Sequence, residues 1–380
     1  MALAKITLQN FRNHADSALG DTRHFNLLIG DNGAGKTNVL EAISLLAPGR
    51  GLRRAPLADL ARRGVMQTPP SPDTGITNPS LAMAGAFAIG ASLMEQGQIS
   101  ARLGTYTQPQ RPTRRLVRIN GSDASASGLS EWHAITWLTP AMDGLFTDSA
   151  GARRRFVDRM ALAIEPGHAK AVNQFETALR ERNRLLEDRS DARWLDAVEA
   201  QAAEHGALVA QTRSRLIARV MDELSALPPQ PFARPILSYV PGGPLDAEQL
   251  LAEFARARPR DRAAGRALVG PNRDELDVVM ARPDGGPGAA AATCSTGEQK
   301  AMLIAVTLAH SVLAASGRPS VLLLDEVAAH LDPVRRAALF DRLRAGRAQV
   351  WMTGTEIAPF CDIQAEAAVW QVRGGTLKRL

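Results

Sequence analysis

Short apolar runs alternate with longer stretches of helical period, and their order predicts an α/β fold interrupted by a helical block. Residues 25–29 are an apolar run and residues 38–46 repeat apolar positions at helical spacing, so a buried strand leading into a helix is predicted there. A short edge strand is expected over 5–8. Between 81 and 106 small and apolar residues alternate without a helical period, which predicts two or three antiparallel strands. Residues 67–80 are rich in Pro, Thr and Ser and read as an exposed loop.

After Leu138-Thr139-Pro140 the pattern changes. Residues 150–227 carry no strong strand signal, and helices are predicted over 168–189 and 192–226, where Leu195, Val198, Leu208, Val209, Leu216 and Val220 recur near the 3.6-residue period. Pro228-Pro229 closes the block. A strand over 235–240, a helix over 247–256, strand-like residues at 267–269 and 276–280 and a turn at 284–286 follow. The predicted organisation is an N-terminal part of a nucleotide-binding domain (1–144), a mostly helical inserted arm (145–265) and the C-terminal part of the same domain (266–380).

Residues 30–37, Gly-Asp-Asn-Gly-Ala-Gly-Lys-Thr, sit between the first strand and its helix and fill the pattern G-x-x-x-x-G-K-[ST]. Gly30, Gly33 and Gly35 let the backbone of Asp31, Asn32 and Ala34 curl so that N–H groups face phosphate oxygens. The helix opening at Lys36, Thr37 and Asn38 adds its positive end. Lys36 is assigned to the β- and γ-phosphates of ATP, and the Thr37 hydroxyl to Mg²⁺.

Composition adds a second theme. The 380 residues carry a formal charge of +6, and the pI near 9.9 points to a polyanionic partner. Only five of the 45 basic residues are lysines, which makes Lys36 more informative. Two distant cysteines, Cys294 and Cys361, argue against a disulfide scaffold or a cysteine-based zinc site. No long apolar segment opens the chain, and the apolar run 301–315 is short and broken by Thr307, His310 and Ser311, so a soluble cytoplasmic protein is expected.

Near the C-terminus, four apolar residues (321–324) end in Asp325 and Glu326. This is the form of a buried parallel strand that delivers one carboxylate to Mg²⁺ and another to polarise an attacking water. Ser295-Thr296-Gly297-Glu298-Gln299 lies upstream and opens a helix, and Leu331-Asp332 lies just beyond. Phosphate loop, S-x-G-E/Q signature, acidic strand and D-loop in this order resemble the ABC-type ATPases. The resemblance implies that Ser295, the Gly297 N–H and Asp332 act on ATP held by a second copy, with Glu326, Lys36, Asp325 and Ser295 carrying the chemistry.

Lys36 and Asp325 are far apart, whereas transporter subunits place these motifs close together. The insert is far shorter than the arms of SMC proteins and lacks a C-x-x-C hook. The stretch 5–13 (Lys-Ile-Thr-Leu-Gln-Asn-Phe-Arg-Asn), the helix start 35–43, Arg154-Arg155-Phe156-Val157-Asp158 and Gly270-Pro271-Asn272-Arg273-Asp274-Glu275 together resemble the RecF family of bacterial recombination mediators. That resemblance implies an α/β ABC-type head, like those of SMC and Rad50, with an inserted arm. It also implies an ATP-dependent homodimer on duplex DNA at gaps or single-strand/double-strand junctions, weak DNA-stimulated ATPase activity, and RecR, RecO and RecA as partners in repair and the SOS response. No glutamine stands at the Q-loop position before Leu138, and Thr353 occupies the strand where a switch histidine is expected; slow hydrolysis follows. A transporter ATPase subunit, another SMC-like repair ATPase and a non-hydrolysing architectural DNA protein are the alternatives.

Arginine is concentrated in three segments, 50–63, 102–118 and 256–273, which between them hold few acids. Because phosphate contacts dominate DNA affinity, Arg53, Arg54, Arg62, Arg63, Arg114 and Arg115 are the DNA-binding candidates; pairing with acids elsewhere is the competing account. Arg12, in the turn after the first strand, is read as a nucleotide contact in preference to a partner of a surface acid. Arg153–Arg155 are read as anchors of the arm's first helix, with a DNA role as the alternative.

Overall fold

The strand expected before the glycine loop forms as Phe25–Ile29 and lies inside a six-stranded sheet. The computed structural model describes residues 2–62, 85–95, 97–188, 191–228 and 230–380. The sheet order is Thr376–Arg379, Ala367–Arg373, Phe25–Ile29, Gln349–Gly354, Ser320–Leu324, Ala134–Leu138. All neighbours are parallel except the first pair, a C-terminal hairpin. Parallel strands covered on both faces carry continuous apolar runs, and Ser320–Leu324 and Ala134–Leu138 are buried along their whole length. The register sets Leu324 beside Met352 and Gly354 beside Ile29, so these strands finish at a common level. Ligands bind outside that edge in open α/β sheets.

A second, antiparallel sheet runs His14–Leu19, Leu3–Phe11, Ala88–Glu95, Gln98–Gln108, Arg111–Ile119, Ser122–Ala124. The strand expected over 5–8 is therefore longer and is not an edge: Leu3–Phe11 is paired on both sides, with Ile6 and Leu8 fully buried. Of the alternating stretch, Ala88–Glu95 and Gln98–Gln108 form a pair, and the arginine-rich residues that follow form the next strand. The loop expected over 67–80, and Arg63, lie outside the described residues.

Two compact units result: Met1–Met142 with His310–Leu380, and Asp143–Ala309. The inserted unit thus extends beyond the expected boundary at 265. Strand Glu275–Ala281 explains this, since it pairs with Pro235–Val240 on one side and Pro287–Ala290 on the other and so stays with the insert. Arg153, in the arm's first helix Ala150–Ile164, grips Glu275 with Nε at 2.7 Å and Nη2 at 2.8 Å, while Arg154 donates to the Asp274 carbonyl at 2.8 Å. The anchoring read for Arg153 and Arg154 is what the structure contains.

The long helices form as His168–Glu187 and Ala192–Ala226, and the third runs on past its expected end to Ala264 despite Pro259. Its last turns are held by charge. Arg182, fully buried, donates to Glu199 at 2.8 Å, to Asp261 at 2.7 Å and to the Phe254 carbonyl at 2.8 Å. Removing one partner of such a buried group strands a charge and costs about 3–5 kcal/mol. Phe175, Val209, Leu250 and Phe254 belong to one apolar cluster, and the Arg182 guanidinium lies over the Phe254 ring at 5.0 Å.

No strand forms at 267–269. Arg273 and Asn272 take the Ala267 carbonyl instead (2.8–3.1 Å), curling the segment into a turn. Asp274 then becomes a junction: it accepts from Arg213 at 2.7 Å, from the Tyr239 hydroxyl at 2.5 Å and from the Gly242 N–H at 2.8 Å. Arg213 also clamps Asp158 at 2.8 and 2.9 Å. The Gly-Pro-Asn-Arg-Asp wording is in this way a framework element of the inserted unit.

Candidate nucleotide site

The glycine loop follows directly from strand Phe25–Ile29. Gly33 (φ 80°) and Gly35 (φ 114°) adopt backbone angles that side-chain-bearing residues rarely hold. At Gly35 a Cβ would also meet the Asn13 amide at 2.6 Å. That amide closes the loop from behind, with Asn13 Nδ2 donating to the Ala34 carbonyl at 2.9 Å and Asn38 Nδ2 donating to Asn13 Oδ1 at 2.7 Å. His14 Nε2 adds a contact to the Gly35 carbonyl at 3.1 Å, and the Gly375 N–H donates to the Ala34 carbonyl at 3.0 Å. Burial holds the His14 imidazole below its ordinary pKa.

Helix Lys36–Ser44 starts on this loop with its N-terminal N–H groups turned toward it. The Lys36 ammonium is buried over the loop, donating to the carbonyls of Gly30 at 2.6 Å and Asp31 at 2.9 Å. An ammonium has three hydrogens, so one is left for an incoming phosphate. Thr37 Oγ1 donates to Asp325 Oδ1 at 3.0 Å, which brings the loop threonine and the acidic strand together as their order in the sequence suggests.

Thr353 completes this cluster. Strand Gln349–Gly354 lies between the loop strand and the acidic strand, and the fully buried Thr353 donates to Asp325 Oδ1 at 2.8 Å and accepts from the Glu326 N–H at 2.9 Å. Its hydroxyl thus ties both acids to the strand where the sequence reading noted only a missing histidine. Burial pushes the Asp325 carboxyl up, while hydrogen bonds from Thr353 and Thr37 pull it down. Glu326 sits at φ 54°, a left-handed angle that turns the chain sharply after Asp325. A hydroxyl and a carboxylate this close are hard oxygen donors, a set that fits Mg²⁺ completed by water and phosphate oxygens.

Arg12 pairs with a buried acid, and its Nη1 also donates to the carbonyl of the exposed Asp59 at 3.3 Å. Its Nε and Nη2 each donate to Glu41 at 2.9 Å in a forked pair, and Glu41 is buried on the loop helix. Arg53 Nη1 joins from the other side, donating to Asn38 Oδ1 at 2.7 Å and Glu41 Oε2 at 3.2 Å. A cavity of roughly 760 Å³ opens here, lined by Arg12, Asn13, Asn38, Arg53, Arg62 and Gly374 among others. The spacing of Glu41 in the loop helix gave no sign of this role.

Arg115 is not available to DNA. It donates to the carbonyls of Leu45, Ala47 (3.0 Å) and Gly49 (2.8 Å) and to Thr105 Oγ1 (2.7 Å), closing the C-terminal end of the loop helix; burial lowers its pKa to about 10. Arg54 and Arg114 are exposed, and Arg62 is half-buried.

In the other unit, Ser295 is exposed just before helix Thr296–Ala314 and forms a capping box with Glu298. Its hydroxyl and N–H both donate to Glu298 Oε2 (2.7 and 2.8 Å), and the Glu298 N–H donates back at 3.3 Å. Gly297 is exposed in the first turn, with open space where a Cβ would stand. Asp332 caps helix Pro333–Ala345 by accepting from the Arg335 N–H at 2.9 Å. Among the described residues no helix is long and apolar enough to cross a membrane.

The model for the RecF/RecN/SMC N terminal domain matches residues 2–377. A DNA replication and repair protein RecF from Mesorhizobium japonicum is 46% identical over 394 residues, covering 99% of this chain and 97% of that one. The chain belongs to the RecF family. A second RecF, from Brucella suis, is 45% identical over 390 residues, with 99% and 96% covered. Among solved structures, the recombination mediator protein RecF-ATPrS superposes with a TM-score of 0.82 at 19% identity over 100% of this chain and 98% of that one. The Smc head domain of Pyrococcus furiosus reaches 0.53 at 15% identity, covering 100% and 96%. The fold is therefore the SMC-like ATPase head of the RecF family with an inserted, mainly helical unit.

Proposed function

We propose that this protein is an ATP-dependent DNA-binding protein of replication and recombinational repair. The observation that carries the reading is the Thr37–Asp325–Thr353 cluster at the mouth of the glycine loop. Two strands and a helix that are distant in sequence converge there on one carboxylate, as phosphoryl transfer requires. The relatives named as DNA replication and repair proteins, and the neighbour named with an ATP analogue, support the same reading.

Lys36 and the loop N–H groups hold the β- and γ-phosphates, and Arg12 faces the nucleotide from the pocket side. Thr37 and Asp325 hold Mg²⁺, which supplies charge neutralisation on the phosphates. Glu326, next to Asp325 at a left-handed backbone position, orients and deprotonates the attacking water. Ser295, Gly297 and Asp332 serve the ATP of a second copy, so nucleotide drives homodimer formation. For Ser295 to donate to a phosphate, its hydroxyl must leave Glu298.

The closed dimer grips duplex DNA without base preference at gaps or junctions, through Arg54, Arg62 and Arg114 with their neighbours. Slow hydrolysis times release, and RecR, RecO and RecA are the expected partners in loading the recombinase and in the SOS response. Sedimentation on gapped DNA, with and without ATP, tests pairing and DNA affinity together. Glu326→Gln should keep ATP and accumulate DNA-bound dimers. Parental turnover in that variant would remove Glu326 from its role, and DNA affinity unchanged by salt would remove the arginine surface.

A further inference from the structure

The forked contact between Arg12 and Glu41 does more than balance charge. Glu41 is buried on the loop helix, one turn beyond Thr37, with its side chain 2% exposed. It receives two hydrogen bonds from Arg12 and one from Arg53, while Arg12 and Arg53 line the cavity beside the loop. Arg12 sits at φ 55°, an angle uncommon for a long side chain, and its N–H is fixed to the Leu60 carbonyl at 2.7 Å. Backbone and side chain of Arg12 are therefore both fixed before any ligand arrives. Arg53 also reaches Asn38, the residue after the Lys36-Thr37 pair. Groups around Asn38 flank the α-phosphate and nucleoside side of a bound triphosphate, because Lys36 and Thr37 serve its other end.

We propose that Glu41 is a positioning residue that presets Arg12 and Arg53 as a guanidinium pair for the α-phosphate side of the nucleotide. This rests on the glycine loop holding ATP. A guanidinium already fixed in place loses less freedom when a phosphate binds, so the carboxylate assists anion binding although it is itself an anion. A pure field effect has the opposite sign: deleting a negative charge beside the pocket strengthens attraction for ATP.

The test is a binding cycle on the full-length chain with ATP and ADP, alongside melting of the ligand-free protein. Glu41→Gln should weaken both nucleotides by roughly tenfold, and Arg12→Lys, which keeps the charge and loses the fork, should do the same. The double variant should lose less than the sum of the two single losses, since Glu41 acts in part through Arg12. Parental or tighter binding by Glu41→Gln, or full additivity in the double variant, overturns the proposal. Should Glu41→Gln not fold, Arg12→Lys decides alone, with parental affinity for both nucleotides counting against it. Lys36→Ala keeps the two readings apart: parental ATP affinity there would sink the loop assignment itself, whatever Glu41 does.

Discussion

The glycine loop and the signature turn are the two helix N-termini proposed above to meet phosphate, and they are prepared in opposite ways. At the loop, Lys36 and Asp325 are buried, and their positions are fixed by Gly30, Asp31, Thr37 and Thr353. At the signature, Ser295 and Gly297 are exposed, and the serine is occupied by Glu298 of its own helix. Both ends leave helix N–H groups without intrahelical partners. One is completed by its own unit, whereas the other is satisfied provisionally by a carboxylate that an incoming phosphate can replace. Rigid preparation suits a group that must bind first; a replaceable cap suits one that must wait for a second molecule.

The comparison breaks most severely at Lys36. Lys36→Ala should cost about 2–5 kcal/mol of ATP affinity, read by calorimetric titration, because a buried charge-assisted contact is lost. A smaller change is expected at the signature. Ser295→Ala removes a helix cap and should lower unfolding free energy by about 1 kcal/mol while nucleotide affinity stays parental and ATP-dependent pairing fails. Weakened nucleotide binding in that variant would contradict the division of labour. The smallest effect concerns Asp325. Its pKa is raised in the folded, ligand-free protein, so folding favours the protonated form; the ionised carboxylate costs stability above the raised pKa, and the cost vanishes below the ordinary carboxylate range. Asp325→Asn should therefore melt slightly higher than the parent near neutral pH, with the gain fading as pH falls, and should lose Mg²⁺-dependent ATP stabilisation.

The parts of this site that sequence made legible are those in which one short segment contains the whole device. The loop is contiguous with its strand and helix, and the two acids are contiguous with theirs, so the chemistry of each follows from spacing. Thr353, Asn13 and Glu41 were not legible as site residues because each acts through a partner remote in sequence: Asp325, Ala34 and Arg12 respectively. Arg115 misled for the same reason, since a run of arginines in a strand gives no hint that one of them closes a distant helix. The boundary of the inserted unit was missed because strand pairing, which places Glu275–Ala281, is nonlocal. Helix Ala192–Ala226 was read correctly because its period is sustained over many turns.

The placement of strand Phe25–Ile29 between Gln349–Gly354 and Ala367–Arg373 has a consequence for biosynthesis. Both its neighbours, at 349–354 and 367–373, are made long after it. Until they emerge, an apolar strand made early has two unpaired edges, the condition that invites association with other chains or capture by chaperones. ATP cannot assist in that interval, for the strand bearing Thr353 is itself still being made.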